Sequence, residues 1–228
     1  MIIAKFVAVV VIGYLLGSIP FGMLVAKRTI KGDVRQYGSG KTGATNVLRT
    51  VGKKAAVTVA TCDVLKGVLA VVIAGLIFGR EYMMVGNFAL GTLVAQVMAA
   101  LAAMAGHNWS VFLKFRGGRG VATFFGGLIA LFPPAAIFGG EILVIGMGLS
   151  KFASIGSIAG AVGTYAILVP LTIMNGFPIE YLAYALIGTI AIIIMHRDNI
   201  ARLMAGKERK MGEKAEPGDP PAPADSKE

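Results

Sequence analysis

The stretch "AVTVATCDVLKGVLAVVIAGLIFG", residues 56–79, stays apolar for longer than the ~20 residues that a helix needs to cross a bilayer. It lacks the continuous polar face that a soluble amphipathic helix turns to water. Only Asp63 and Lys66 interrupt it, three residues apart and near one end. Similar runs recur at about 3–25, 83–105, 153–173 and 179–195, and two shorter ones, 121–132 and 135–149, flank Pro133-Pro134. The pattern predicts an all-α polytopic membrane protein with about seven transmembrane helices, some of them short. The two around the proline pair are expected to form a re-entrant or broken pair, which is tolerated where protein buries it. Residues 1–208 are expected to form a single membrane-embedded domain. Residues 209–228, polar and proline-rich, are expected to be a disordered cytoplasmic tail.

Composition agrees. Of 228 residues, 56% are hydrophobic and 15% charged, against about 25% charged in soluble domains. The mean hydropathy is +0.74. The net charge of +10 points to positive-inside loops first and to an anionic ligand second. Nucleic acid is not an expected partner, because aromatics do not interleave with the cations. One cysteine, Cys62, excludes an intrachain disulfide. There is no Cys/His metal framework, and neither a metal nor a cofactor is expected. With the N-terminus outside, only Lys5 and Arg80 fall on the outer side. The N-terminus is therefore expected outside and the C-terminus in the cytoplasm.

Three polar stretches then share the cytoplasmic face. The first, "GSGKTGATNVLR" (38–49), fits G-x-G-x-x-G but lacks the βαβ setting of a dinucleotide site. Its Gly-Lys-Thr is not a Walker loop, since Arg35 stands where the first glycine would be. Two readings stand. The glycines Gly38, Gly40 and Gly43 free backbone N–H groups for an anion, with Ser39, Lys41, Thr45, Asn46 and Arg49 beside them. Or the segment is a tight loop with a capped helix behind it. The second stretch is "KFRGGRGVATFFGG" (114–127). Gly117, Gly118 and Gly120 bracket Arg119 where a helix starts, which predicts a phosphate cradle at a helix N-terminus. His107 precedes it as a polar helix end, and Thr123 follows it. The third, "HRDNIARLMAGKE" (196–208), places His196 and Asn199 on one helical face with Arg202 near it. It is either a basic juxtamembrane helix or the wall of a site facing the other two. Asp63 and Lys66 either pair with each other or offer Lys66 to the anion.

Together, "GSIPFG" (17–22), "GSGKTGATNVLRTVGKK" (38–54), "DVLKG" (63–67), "GHNWSVFLKFRGGRGVAT" (106–123) and "HRDNIARLMAGKE" (196–208) resemble the PlsY family of acyl-phosphate-dependent glycerol-3-phosphate acyltransferases. The resemblance covers about residues 10–208. It implies a seven-helix enzyme of the bacterial plasma membrane with its active site at the cytoplasmic face. The implied reaction moves a fatty acyl group from acyl phosphate to the 1-hydroxyl of glycerol 3-phosphate. Lysophosphatidic acid and inorganic phosphate result, the first acylation of phospholipid synthesis. Acyl phosphate, glycerol 3-phosphate and membrane lipids are the implied partners, with functional coupling to an enzyme that makes acyl phosphate. Two positions depart from the family pattern: Lys41 replaces a usual Asn, and Arg119 a usual Lys. Arginine holds phosphate bidentately where lysine is a point charge.

On this reading Arg49 and Arg119, with Ser39 and the backbone of Gly117–Gly120, hold the two phosphates. His196, Asn199, Asn46 and Thr123 orient the acceptor or stabilise the developing oxyanion. Gly40, Lys41, Gly43, Thr45, Lys66, His107 and Arg202 complete the expected substrate contacts. The base is either His196 or a phosphate oxygen of the donor. The rival reading is a transporter or channel for an organic phosphate. Transporters place such groups near the bilayer midplane, and these lie at its inner boundary.

Overall fold

A computed structural model describes residues 1–30, 32–86 and 88–215 of the chain. Most of the segment expected to be disordered, 216–228, lies outside the described residues. Helices dominate: α1 Ile2–Ser18, α2 Phe21–Ile30, α3 Ala44–Thr50, α4 Lys53–Phe78, α5 Thr92–Asn108, α6 Val121–Leu131, α7 Pro133–Ser150, α8 Ala153–Asn175, α9 Ile179–Met195 and α10 Arg197–Met204.

The expectation of one helix over 3–25 is corrected at Pro20. Proline donates no N–H and crowds the preceding residue out of the helical region. Ile19 accordingly sits at φ −58°, ψ 117°, and the chain restarts as α2. The run at 83–105 also divides. Strands β1 (Met83–Val85) and β2 (Phe88–Leu90) pair antiparallel, Met83 opposite Leu90, and α5 begins only at Thr92. Gly86, at φ +59°, lies at their turn, where a side chain would be strained. The protein is therefore mostly helical with one small hairpin, not all-α. Among the described residues, four segments are long and apolar enough to span a membrane: Ile2–Ile30 taken through its break, α4, α7 and α8. The α9–α10 pair, bent by 56°, makes a fifth.

Pro133-Pro134 opens α7, since proline is tolerated in a helix's first turn. The 11 residues of α6 give a helix of about 16 Å, too short to cross a bilayer. It is instead the centre of the core. Phe124, Phe125, Leu128 and Leu131 pack against Val97, Ala100 and Met104 of α5 and Tyr184 and Ile192 of α9. Tyr184 stacks on Phe124 and donates its hydroxyl to the Phe124 carbonyl at 2.9 Å. Small residues bring the helices close, as expected where lipid supplies no hydrophobic drive between them. A Cβ on Gly17 would overlap the Ala103 carbonyl, and one on Gly126 that of Val64. This draws the middle of α6 against α4 and fixes where the preceding loop ends. At one end of the bundle Lys5 pairs with Glu81, and the three polar stretches gather at the other.

Gly126→Leu should lower stability by about 2 kcal/mol or more by forcing α4 and α6 apart. Gly140→Leu, on α7 with open space around it, should be tolerated. Thermal unfolding in detergent micelles compares the two.

Candidate active site

The first stretch is shaped by Asn46 on α3. Its Nδ2 donates to the carbonyls of Val34, Tyr37 and Lys41 at 3.0, 3.1 and 2.9 Å, and its Oδ1 accepts the Ser39 N–H at 3.0 Å. Asn46 thus holds the loop rather than offering a free amide to a ligand. The loop in turn presents Ser39, Lys41, Gly43 and Thr45 to a cavity of about 300 Å3. Arg49, one turn further along α3, lines the same cavity.

The second stretch is held from behind. Ser110 Oγ donates to the Ser18 carbonyl at 2.6 Å, tying the loop to the end of α1. Lys114 and Phe115 take left-handed backbone angles, φ +52° and +61°, which bend the chain back on itself. The expected backbone cradle is corrected here. The Gly117 N–H goes to the Asn108 carbonyl at 3.1 Å and the Gly118 N–H to that of His107 at 3.0 Å. A Cβ on Gly117 would overlap the His107 carbonyl, and one on Gly118 the His107 ring. The glycines therefore permit close packing that delivers Arg119 and Gly120 to the cavity. Arg119 Nε is buried without a hydrogen-bond partner among the described residues.

Behind this loop lies a buried ionic group. Lys66 Nζ is 2.8 Å from Asp63 Oδ1 and 2.8 Å from His107 Nδ1, and Asp63 is 3.4 Å from the same nitrogen. Lys66 also donates to the Ile19 carbonyl at 3.3 Å and faces the Phe21 ring. Asp63 and His107 reach the cavity, whereas Lys66 lies in a small separate void behind them. The pairing alternative for Asp63 and Lys66 is the one observed, and Lys66 does not face the anion site.

The third stretch closes the cavity. His196, at the bend between α9 and α10, has Nδ1 2.8 Å from the Ile192 carbonyl, which leaves Nε2 as its free acceptor. Asn199 donates to Glu208 Oε1 at 2.6 Å, Ser154 to the same oxygen at 3.0 Å, and Arg202 to Oε2 at 2.8 Å. Glu208 and Ser154 line the cavity and escape the sequence reading. An acid that follows a basic stretch was the only signal for Glu208; Ser154 opens an apolar run and carries none.

Of the remaining expected residues, Gly40 belongs to a separate outer groove with Arg35, Lys114 and Arg116. Arg202 is engaged by Glu208 and Thr123 is fully buried on α6; neither lines the cavity. Apart from Ser157, whose hydroxyl donates to the Ala153 carbonyl, the rest of the lining is apolar and includes Val121, Ala122, Phe125, Leu143, Met147 and Ala153. Three cations thus meet an apolar wall. Burial, then the neighbouring Arg202, pushes Arg119 down to about 10, still charged at neutral pH. Burial chiefly lowers Lys41 and Arg49 as well, with the Arg119 charge acting on Lys41. Burial and the Arg119 charge push His196 down to about 4, so its imidazole is neutral.

Residues 7–206 match the model of the family described as glycerol-3-phosphate acyltransferase. Glycerol-3-phosphate acyltransferase 3 of Dehalococcoides mccartyi is 65% identical over 215 residues, 94% of this chain and all of that one. The chain belongs to the glycerol-3-phosphate acyltransferase family. The Thermus thermophilus acyltransferase is 43% identical over 90% of this chain and 94% of its own. A crystal structure of PlsY (YgiH), an integral membrane glycerol 3-phosphate acyltransferase in its glycerol 3-phosphate form, superposes with a TM-score of 0.78 at 35% identity. That match covers 91% of this chain and 96% of the other. The membrane reading of the apolar helices and the acyltransferase reading of the motifs both follow from this membership.

In this acyltransferase Gly118→Ala should lower turnover at least tenfold by displacing the Arg119 loop from His107. Adding His107→Ala, which removes the ring in the way, should restore part of it; steady-state kinetics of the two chains decide.

Proposed function

We propose that this acyltransferase moves a fatty acyl group from acyl phosphate to the 1-hydroxyl of sn-glycerol 3-phosphate. The products are 1-acylglycerol 3-phosphate (lysophosphatidic acid) and inorganic phosphate, the first acylation of phospholipid synthesis. One observation carries the reading: a single cavity joins Lys41, Arg49 and Arg119 to the apolar wall of Phe125, Leu143 and Met147. The donor has a phosphate for the cations and a chain for the wall, and the acceptor has a second phosphate. The similar PlsY structures are a glycerol 3-phosphate form and a lysophosphatidic acid form, which supports the same acceptor and product here.

The chain is a multi-pass protein of the bacterial plasma membrane, N-terminus outside, with the cavity at the cytoplasmic face. The pairing of Lys5 with Glu81 at the end remote from the cavity, where Arg80 also lies, supports that orientation, because Lys41, Arg49 and Arg119 gather at the cavity's end. A donor this reactive has to come from an enzyme that makes acyl phosphate, so functional coupling to such an enzyme is part of the reading.

Acyl phosphate is already activated, so the acceptor hydroxyl attacks its carbonyl carbon directly. The new C–O bond forms as the C–O bond to phosphate breaks; Arg119 stabilises the negative charge on the reacting groups, and Arg49 holds a substrate phosphate in place. Ser39 and Asn199 orient the acceptor, and Glu208 holds Asn199. Burial and Arg119 make His196 a poor base. A phosphate oxygen of the donor takes the proton of the attacking hydroxyl, and His196 Nε2 accepts from the glycerol's other hydroxyl and so positions the acceptor.

Purified protein given palmitoyl phosphate and glycerol 3-phosphate should release inorganic phosphate and lysolipid in equal amounts. Arg119→Ala should cut kcat/KM by about 100-fold or more, and His196→Gln should keep turnover within about tenfold. A loss of about 100-fold or more in His196→Gln would make His196 the base. Flux of the organic phosphate into proteoliposomes without phosphate release would replace the enzyme by a transporter.

A further inference from the structure

The segment after Glu208 folds back over the cavity instead of leaving it. A turn at Gly206, φ +67°, follows α10 and reverses the chain. The carbonyls of Arg209 and Lys210 then accept from Arg49 Nη2 at 2.9 and 3.1 Å. The Met211 N–H donates to the Lys151 carbonyl at 2.8 Å, at the turn between α7 and α8. The Ala215 N–H returns to the Arg49 carbonyl at 3.2 Å. Seven residues of the segment expected as a disordered tail thus tie α3 to the α7–α8 turn, two walls of the cavity that are otherwise remote in sequence.

Arg49 is only 8% exposed, and its Nε is buried without a partner among the described residues. One nitrogen of the guanidinium is therefore fixed by two main-chain oxygens, while its other donors are left over beside the cavity. An arginine held on one edge presents the rest of its planar fork in one orientation. An unheld one has to give up the rotamer freedom of a long side chain each time it meets a ligand.

We infer that residues 209–215 are a positioning strap, which acts through main-chain carbonyls to hold Arg49 in its phosphate-binding orientation. The inference rests on the proposed role of Arg49 in holding a substrate phosphate. The strap touches no reacting atom, so its removal weakens binding rather than chemistry. Because its grip is made of backbone groups, the side chains of Arg209 and Lys210 matter little to it.

The test uses the full chain in lipid nanodiscs, with KM for palmitoyl phosphate and for glycerol 3-phosphate, kcat and the thermal midpoint measured for each variant. Met211→Pro with Ala215→Pro removes both tethering N–H groups and leaves every cavity side chain in place. It should raise KM for at least one substrate about tenfold and change kcat less than threefold. Arg209→Ala with Lys210→Ala, which keeps both carbonyls, should raise KM less than threefold. Unchanged KM values in the double-proline chain overturn the strap even if the thermal midpoint falls, provided that Arg49→Ala is itself impaired. A rise in the double-alanine chain as large as in the double-proline chain overturns it in favour of side-chain charge. If Arg49→Ala leaves both KM values and kcat unchanged, the phosphate role of Arg49 fails and the strap with it.

Discussion

The demand that shapes this end of the protein is the pairing of buried cations. A guanidinium withdrawn from water is costly unless an anion or several acceptors meet it. Lys41, Arg49 and Arg119 converge on one cavity, and the carboxylates that reach it, Asp63 and Glu208, already have partners. Burial above all lowers the proton affinities of the three, and neighbouring cations add to it at Lys41 and Arg119. A phosphate is the group whose charge and geometry relieve it. The rest of the architecture can be understood as the scaffolding that keeps three cations together until one arrives.

That scaffolding works through close approach and committed hydrogen bonds. Gly126 lets α6 lie against α4, and Gly117 and Gly118 let the next loop lie against His107. The Asp63–Lys66–His107 group stiffens the far side of His107. Asn46 holds the first loop and Glu208 joins Ser154 on α8 to Asn199 on α10. Each cation thus stands on a framework whose polar groups are largely occupied with one another. A ligand has little to compete with except where donors are left over.

Much of this was legible before any coordinates. Apolar runs, set by the thickness of a bilayer, named the helices correctly apart from two local events. Pro20 breaks the first run, which its chemistry announces, and residues 83–90 pair as strands, which an apolar run cannot distinguish from helix. Arg49, Arg119, His196 and Asn199 could be placed together because cations, glycines and a histidine in an otherwise greasy chain are expensive to keep. Their supports were less visible. Gly117 and Gly118 were assigned to the ligand although they serve His107, since composition does not say which neighbour a missing Cβ makes room for. Asn46 carried the same ambiguity between holding a loop and holding a substrate. Ser154 and Glu208 meet only through a tertiary contact between α8 and the end of α10, which no local pattern encodes.

The convergence of Arg49 and Arg119 on one phosphate-binding cavity is the claim on which the account stands. A crystal structure of the protein with glycerol 3-phosphate bound tests it most directly. The account predicts the phosphate in the cavity, within hydrogen-bonding reach of at least one of these guanidinium groups, with the glycerol toward His196 and Asn199. An ordered ligand found only in the outer groove, among Arg35, Lys114 and Arg116, would contradict it.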